Sequence, residues 1–301
     1  MLVNILLDTL VTGLPLVPLT LGVYLVFRIR QDFDLTVEGS FALGAAVTAV
    51  AVAAGADPFL SLLAGAAAGA VAGAVTAALH LVLGVPVLLA GLVMSIGLFS
   101  VTLHVLASPT LGLGNAETIF GAVGASGDTG QIALLVVIVA VVLVCFAAFL
   151  RTELGLALRA SGGSPVMVRS LGVGDAVVVT LSLCLANVLA GLSGALIVQV
   201  QGFADVNMGI GMFVAAVGAV LLGTLTLRPS GSRVVRIMCA VLVGTLVYRA
   251  VLVAALRVGL PAADLKGITA LTLVVAIAVQ RFGVALFRDP RRTPARRAVT
   301  R

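Results

Sequence analysis

Gln131-Ile-Ala-Leu-Leu-Val-Val-Ile-Val-Ala-Val-Val-Leu-Val-Cys-Phe-Ala-Ala-Phe-Leu150, closed by Arg151, runs for twenty residues without a charged side chain. Twenty helical residues rise about 30 Å, the thickness of a bilayer's hydrocarbon core. A helix with no polar face has nothing to offer water. The stretch therefore reads as a membrane span, and the rest of the chain agrees with it. The 301 residues are 61% hydrophobic and only 10% charged, with a mean hydropathy of +1.26. A soluble domain carries about 25% charged residues, so a water-soluble fold of this length would lack the polar surface to cover itself. That excludes a soluble enzyme, a nucleic-acid binder and a disordered chain.

Applied along the chain, the same test predicts an all-α polytopic membrane helix bundle of about nine spans. The candidates are Asn4–Phe27, Val37–Ala54, Pro58–Leu83, Val85–Leu106, Gln131–Leu150, Val173–Val198, Gly209–Leu227, Val234–Leu256 and Gly267–Phe287. The second is short enough to be tilted or partly re-entrant, and the third and fourth could merge through Gly84-Val85-Pro86. The N-terminus lacks a cationic region ahead of its apolar run, which favours a retained span over a cleaved signal. No connector is long enough for an independent core, so 1–287 reads as one transmembrane domain and 288–301 as a basic tail.

Connector charge predicts the orientation. The 151–172 loop holds Arg151, Arg159 and Arg169, and the 228–236 loop holds Arg228, Arg233 and Arg236. The 107–130 loop has Glu117 and Asp128 without a cation, and 199–208 has only Asp205. Under the positive-inside rule the first pair and the tail are cytoplasmic and the second pair external. Alternation then places the N-terminus outside and the C-terminus inside, with Arg28 and Arg30 also inside; Arg257 and Lys266 are cations on the outer side. The net charge of +6 comes largely from the tail, which reads as an anchor on anionic lipid rather than a nucleic-acid site.

Gly65, Gly69 and Gly73 recur at every fourth residue on one helix face. Lipid gives helices no hydrophobic drive to associate, so small residues that permit close approach serve instead. Pro15 and Pro18 predict a kink in the first span, tolerable where neighbours re-satisfy the backbone.

The available chemistry is sparse. Cys145, Cys184 and Cys239 are isolated, and His80 and His104 have no metal-ligand spacing, so no metal or other cofactor is expected on this chain. Gly124-Ala-Ser-Gly127 and Gly191-Leu-Ser-Gly194 resemble the nucleophile turn of intramembrane serine proteases, but both histidines precede the serines, against that family's order. The lone lysine, Lys266, is not in a phosphate-binding loop, so ATP hydrolysis would fall to another subunit. Asp8 and Arg249 are the main charges within spans, and Arg249 can either snorkel or line a pathway. Asn187 and a few hydroxyls complete the polar set. An ion relay has too few parts here, which points to a transporter driven from outside the membrane.

The 151–172 loop carries a short-helix signal. Ser164-Pro165 suits an N-cap and first helical position, and Gly172 suits the residue after a helix end. Between them Val166, Met167 and Leu171 are apolar and Arg169 charged, a pattern fit for docking in a partner's groove or lying on lipid.

Gly155, Arg159, Ala160, Gly162 and Gly172 resemble, in register, the coupling segment of ATP-binding-cassette importer permeases of the branched-chain amino acid/ribose type. Asp34-Leu-Thr-Val-Glu-Gly-Ser40 is similar to a segment after the first span in these permeases, closest to those grouped with tryptophan/tyrosine uptake systems. Ala190-Gly-Leu-Ser-Gly-Ala195, an outer loop and the Gly-rich Gly209–Gly223 follow in the family's order. The resemblance implies a translocation subunit for an amino acid or similar solute in a bacterial cytoplasmic membrane. Its implied partners are a separate ATP-binding subunit, an extracytoplasmic solute-binding protein or lipoprotein, and a second permease copy. Coupling to the ATPase would fall to Arg159, Ser164, Pro165, Met167, Arg169, Leu171 and Gly172, although Gly163-Ser164 departs from many relatives. Asp34, Thr36, Glu38, Ser40 and Asn187 are pathway candidates, with helix capping an equal alternative for Asp34 and Thr36. The rival class is a self-sufficient carrier or channel.

Overall fold

A computed structural model describes residues 2–125, 127–170, 172–226, 234–261 and 264–286. The basic tail and most of the 228–236 loop lie outside the described residues. The first span is composite: α1 (Leu2–Gly13), a 3-10 turn at Leu14–Leu16, α2 (Val17–Val23) and π-helical turns over Tyr24–Arg30. Then come α3 (Thr36–Ala53), α4 (Pro58–Leu83), α5 (Val87–Leu106), strand β1 (Thr110–Gly112), the short α6 (Ile119–Ala122) and α7 (Gly127–Arg151). Next are α8 (Glu153–Ser161), α9 (Pro165–Ser170), α10 (Asp175–Gln201), strand β2 (Phe203–Asp205), α11 (Met212–Thr226), α12 (Val234–Arg257) and α13 (Leu265–Leu286). Among the described residues, seven helices are long and apolar enough to cross a membrane. The other two expected spans appear as shorter apolar helical segments, Met212–Thr226 and Lys266–Ala278.

The third and fourth spans do not merge. Gly84 takes a left-handed conformation with φ of 68°, and Pro86 stands immediately before α5, so a continuous helix is impossible there. Pro15 breaks the first span into its 3-10 turn, and the hydroxyl of buried Ser193 donates to the Pro15 carbonyl at 2.6 Å. That bond restores an acceptor's partner where the helix ladder fails. It also gives Ser193, the serine of one protease-like string, a structural role, while His80 bonds the Val85 carbonyl and His104 the Ser100 carbonyl; Ser126 of the other string lies outside the described residues.

An all-helical reading misses one feature. β1 and β2 pair antiparallel, Thr110 opposite Asp205 and Gly112 opposite Phe203. The ribbon joins the two connectors expected outside, whose backbone groups have left the helices and satisfy each other. Gln199 holds the same end together, accepting from the Ile119 amide and donating to the Pro58 carbonyl.

The core is the junction of α3, α4 and α10. A Cβ at Gly73 would lie 2.6 Å from the Leu183 carbonyl oxygen, and one at Gly65 2.6 Å from the Thr48 hydroxyl. Gly69 meets the Asn187 carbonyl more closely still. On the facing helices, Gly44 and Gly191 abut one another. Backbones thus touch with no side chain between them, so α3 is buried on nearly every side while α5 and α7 leave most of their surface to lipid.

Candidate functional site

Contacts between elements place the connectors at two opposite ends. At one end lie the β ribbon, the start of α1 and the end of α12, where Asp8 pairs with Arg257. At the other lie Arg30, the α8–α9 loop and the start of α10, with Arg30 Nη2 3.9 Å from Asp175 Oδ1. The acidic connectors therefore share one face of the molecule, and Arg28, Arg30, Arg151, Arg159 and Arg169 the other.

Between these ends sits a buried polar network. After Arg30 the chain turns through Gln31, which adopts a left-handed conformation, and re-enters the bundle before α3 begins. Asp34 is 1% exposed. Its Oδ1 accepts from the Thr36 amide at 2.8 Å and its Oδ2 from Asn187 Nδ2 at 2.7 Å. Asn187 also donates to the Leu183 carbonyl at 2.8 Å, and its Oδ1 accepts from Ser40 Oγ at 2.7 Å. The hydroxyls of Thr36 and Thr76 are 2.9 Å apart, and Thr76 donates to the Ala72 carbonyl at 3.0 Å. Asn187 lies twelve residues beyond Asp175 in the 27-residue α10, a rise of about 18 Å. Asp34 thus stands near half the depth of a spanning helix, although its sequence position next to Arg30 and Asp32 reads as a surface connector.

The short second span is accordingly re-entrant at its start. α3 runs alongside the part of α10 nearer the ribbon, and the five residues before it cover the remaining depth in non-helical form. Irregular backbone at that depth is tolerated only inside protein, and Asp34 supplies the acceptor that α3's first free amide needs. An ionisable group so placed is costly, and by default marks function. Here every polar side-chain atom of the Asp34–Asn187–Ser40 chain has a partner, so its chemistry is a rigid tie among α3, α4 and α10.

Four of the five pathway candidates from the sequence meet in this network. Glu38 does not. It points to the turn before α11, accepting from the Gly211 and Phe213 amides at 3.0 and 3.3 Å, beside a small cleft that includes Ser95 and Phe99. Thr76 was missed by the sequence reading, though it continues the Gly65–Gly69–Gly73 face by three residues and so points the same way.

The 151–172 loop folds as two helices, not one. α8 was not anticipated: Thr152 caps it, its hydroxyl accepting from the Gly155 amide at 3.2 Å. Leu158 is wholly buried while Leu154 and Leu156 are exposed. α9 spans Pro165–Ser170, the short helix expected there, and Gly172 follows with φ of 83°. Arg169 is exposed, and the Ser164 carbonyl accepts from the Val168 amide. Leu171 and the side chains of Pro165 and Met167 lie outside the described residues. Arg159 keeps a buried Nε without a partner. At the turn between the helices, Gly162 is pressed on the Ile29 carbonyl in the π-helical end of the first span. The loop thus bears directly on the stretch leading to Asp34.

A multi-pass bundle of apolar helices, with a broken first span and a two-helix loop seated on it, is the architecture of a polytopic membrane protein. The chain belongs to the family of branched-chain amino acid transport system permease components, which matches residues 5–279, and so to the permeases of ABC transporters. It is 29% identical over 268 residues to a tyrosine transport system permease protein of Clostridioides difficile (strain R20291), covering 89% of this chain and 88% of that one. It is 30% identical over 276 residues to an uncharacterized protein of Rickettsia prowazekii (strain Madrid E), covering 91% and 97%. No solved structure matches it significantly.

Proposed function

We propose that the chain is the membrane-spanning subunit of an ABC importer and forms the pathway for an amino acid or similar small solute in a bacterial cytoplasmic membrane. The observation that carries this reading is the α8–α9 loop, two short helices of which the first is capped by Thr152 and whose joining turn lies against the first span at Gly162 and Ile29. A partner ATPase gripping that loop displaces the π-helical end of the first span, and through the Asp34 tie the displacement reaches α3 and α10. The cationic end of the molecule, with this loop, faces the cytoplasm; the ribbon and the N-terminus face outward. An extracytoplasmic solute-binding protein docks on the ribbon side, and a second copy of the chain completes the pathway. Tyrosine, named for the relative from Clostridioides difficile, is the first solute to test.

Arg159, Ser164, Pro165, Met167, Arg169, Leu171 and Gly172 form or support the ATPase contact. Met167→Asp combined with Arg169→Glu abolishes uptake in cells carrying the partner subunits and leaves membrane insertion intact. Unchanged uptake and unchanged co-purification of the ATPase refute the assignment. Solute flux by the purified chain alone in vesicles refutes the dependence on a partner.

A further inference from the structure

Arg249 sits eight residues before the end of α12, about 12 Å inside its outer terminus. Its stem packs on α1, where a Cβ at Gly13 would lie 3.3 Å from the Arg249 Cβ. Its Nε donates to the Thr12 hydroxyl at 3.0 Å, and that hydroxyl donates onward to the Asp8 carbonyl at 2.6 Å. The side chain is therefore held by the protein, which is unlike a loose cation reaching for the interface. Among the described residues no carboxylate forms an ion pair with it. Asp8 is engaged by Arg257, and Asp205 by the Thr110 hydroxyl and the Asn207 amide.

Arg249 lines three clefts. One, of about 320 Å³, is lined by Leu16, Met212, Tyr248, Arg249, Lys266 and Thr269 among others, and holds two cations and no acid. A second reaches the ribbon through Gln201 and Asp205, and the third contains the Asp8–Arg257 pair and Asp128. An intramembrane cation ordinarily has a named partner; a positioned guanidinium whose Nη atoms have no hydrogen bond among the described residues, in a cleft walled by apolar side chains and Tyr248, matches a carboxylate that carries an apolar side chain.

We infer that Arg249 binds the carboxylate of the solute on the outward side of the pathway, selecting small carboxylates with an apolar or aromatic side chain. The inference rests on the permease reading. The test uses the full chain in nanodiscs of neutral phosphatidylcholine, with radiolabelled L-tyrosine and L-leucine against tyramine and isoamylamine, which lack the carboxylate. At least one amino acid binds, and its amine binds about tenfold more weakly or worse, the loss of one charged hydrogen-bonding partner. Arg249→Gln weakens the amino acid by the same factor and leaves the amine unchanged; Arg249→Lys falls between. Thr12→Val, which keeps the charge but frees it, also weakens binding, and an unliganded melting midpoint equal to wild type shows that the variants fold. Equal binding by wild type and Arg249→Gln overturns the inference, as does failure of both amino acids to bind. Dependence on Arg249 only for retention of added phosphatidylglycerol overturns it in favour of a lipid headgroup. If the assembled transporter takes up solute equally well with Arg249→Gln, this inference fails and the permease reading stands; if the wild-type assembly takes up nothing, the permease reading itself fails.

Discussion

Replacing Asp34 by Ala removes both acceptors that hold the re-entrant start of α3. The Thr36 amide and one Asn187 proton are then left facing protein at a depth where water does not reach. Hydrogen bonds within membranes average about 0.6 kcal/mol by double-mutant cycles and reach about 1.7 kcal/mol. A buried donor left without any partner adds a desolvation cost of about 1–3 kcal/mol. The expected loss for Asp34→Ala is therefore about 2 kcal/mol or somewhat more, a large share of a membrane domain's margin. Asp34→Asn costs less. Its carbonyl still accepts from Thr36, and Asn187 can flip to accept from the new amide, since the Ser40 hydroxyl can serve as acceptor in turn; only the bond to the Leu183 carbonyl is forfeited. The exchanged pair, Asp34→Asn with Asn187→Asp, restores the bonds between the two residues and from the Thr36 amide and the Ser40 hydroxyl, but leaves the Leu183 carbonyl without its donor, so it is expected to recover only part of the loss of the single changes. Unfolding of the purified chain by added detergent, followed by far-ultraviolet circular dichroism, measures five proteins: wild type, Asp34→Ala, the single changes Asp34→Asn and Asn187→Asp, and the exchanged pair. Additivity of the two single changes to within about 0.5 kcal/mol would mean that the residues do not interact, and the tie proposed between α3 and α10 would be wrong.

Three further outcomes follow from the same geometry. Gly69→Val drives a branched side chain into the Asn187 carbonyl and is expected to cost about 3 kcal/mol through overpacking; quantitative blotting of membranes should show less protein, and wild-type levels would contradict the close packing. Gly162→Ala sets a methyl against the Ile29 carbonyl, so uptake should fall more steeply than the amount of inserted protein, and a proportional fall in both would remove Gly162 from the route of coupling. On the ribbon, the Thr110 hydroxyl holds the Asp205 carboxyl below its ordinary value. Its support for the ribbon is thus complete above that value and lost as pH falls through the lowered one. Thr110→Val should return the Asp205 midpoint toward 3.8 in a carbon-13 carboxyl titration, and an unmoved midpoint would assign the effect elsewhere.

Much of the molecule could be read from residue order because the bilayer imposes a simple rule. A run such as Gln131–Leu150 has one way to satisfy its backbone in lipid, and that is as a helix. Two breaks were equally legible where the chemistry is local, Pro15 in the first span and Gly172 after α9, whereas the sequence left open a merger of the third and fourth spans that Gly84 and Pro86 prevent. The glycine spacing on α4 announced a close-packed face, and the cation bias of connectors separated the two ends that the contacts now show.

What residue order leaves open is depth and partnership. Asp34 stands beside Arg30 and Asp32 in the chain, and nothing local distinguishes it from a surface acid; only the pairing with Asn187, 153 positions away, carries it to the middle of the bundle. Glu38, two residues and so about half a helical turn from Thr36 and Ser40, faces a different helix, because α3 has packed surfaces on all sides and each polar side chain takes whatever donor its own face meets. α8 escaped notice since a helix of nine residues carries little signal of its own, and its burial comes from α7, α9, α10 and the end of the first span together. Composition and spacing determined that this polypeptide crosses the membrane many times and where its helices stop, because those outcomes depend on nearest neighbours and solvent. Which polar groups are tied together and which are left free to meet a solute depends on contacts between distant segments, and that was decided by the tertiary structure alone.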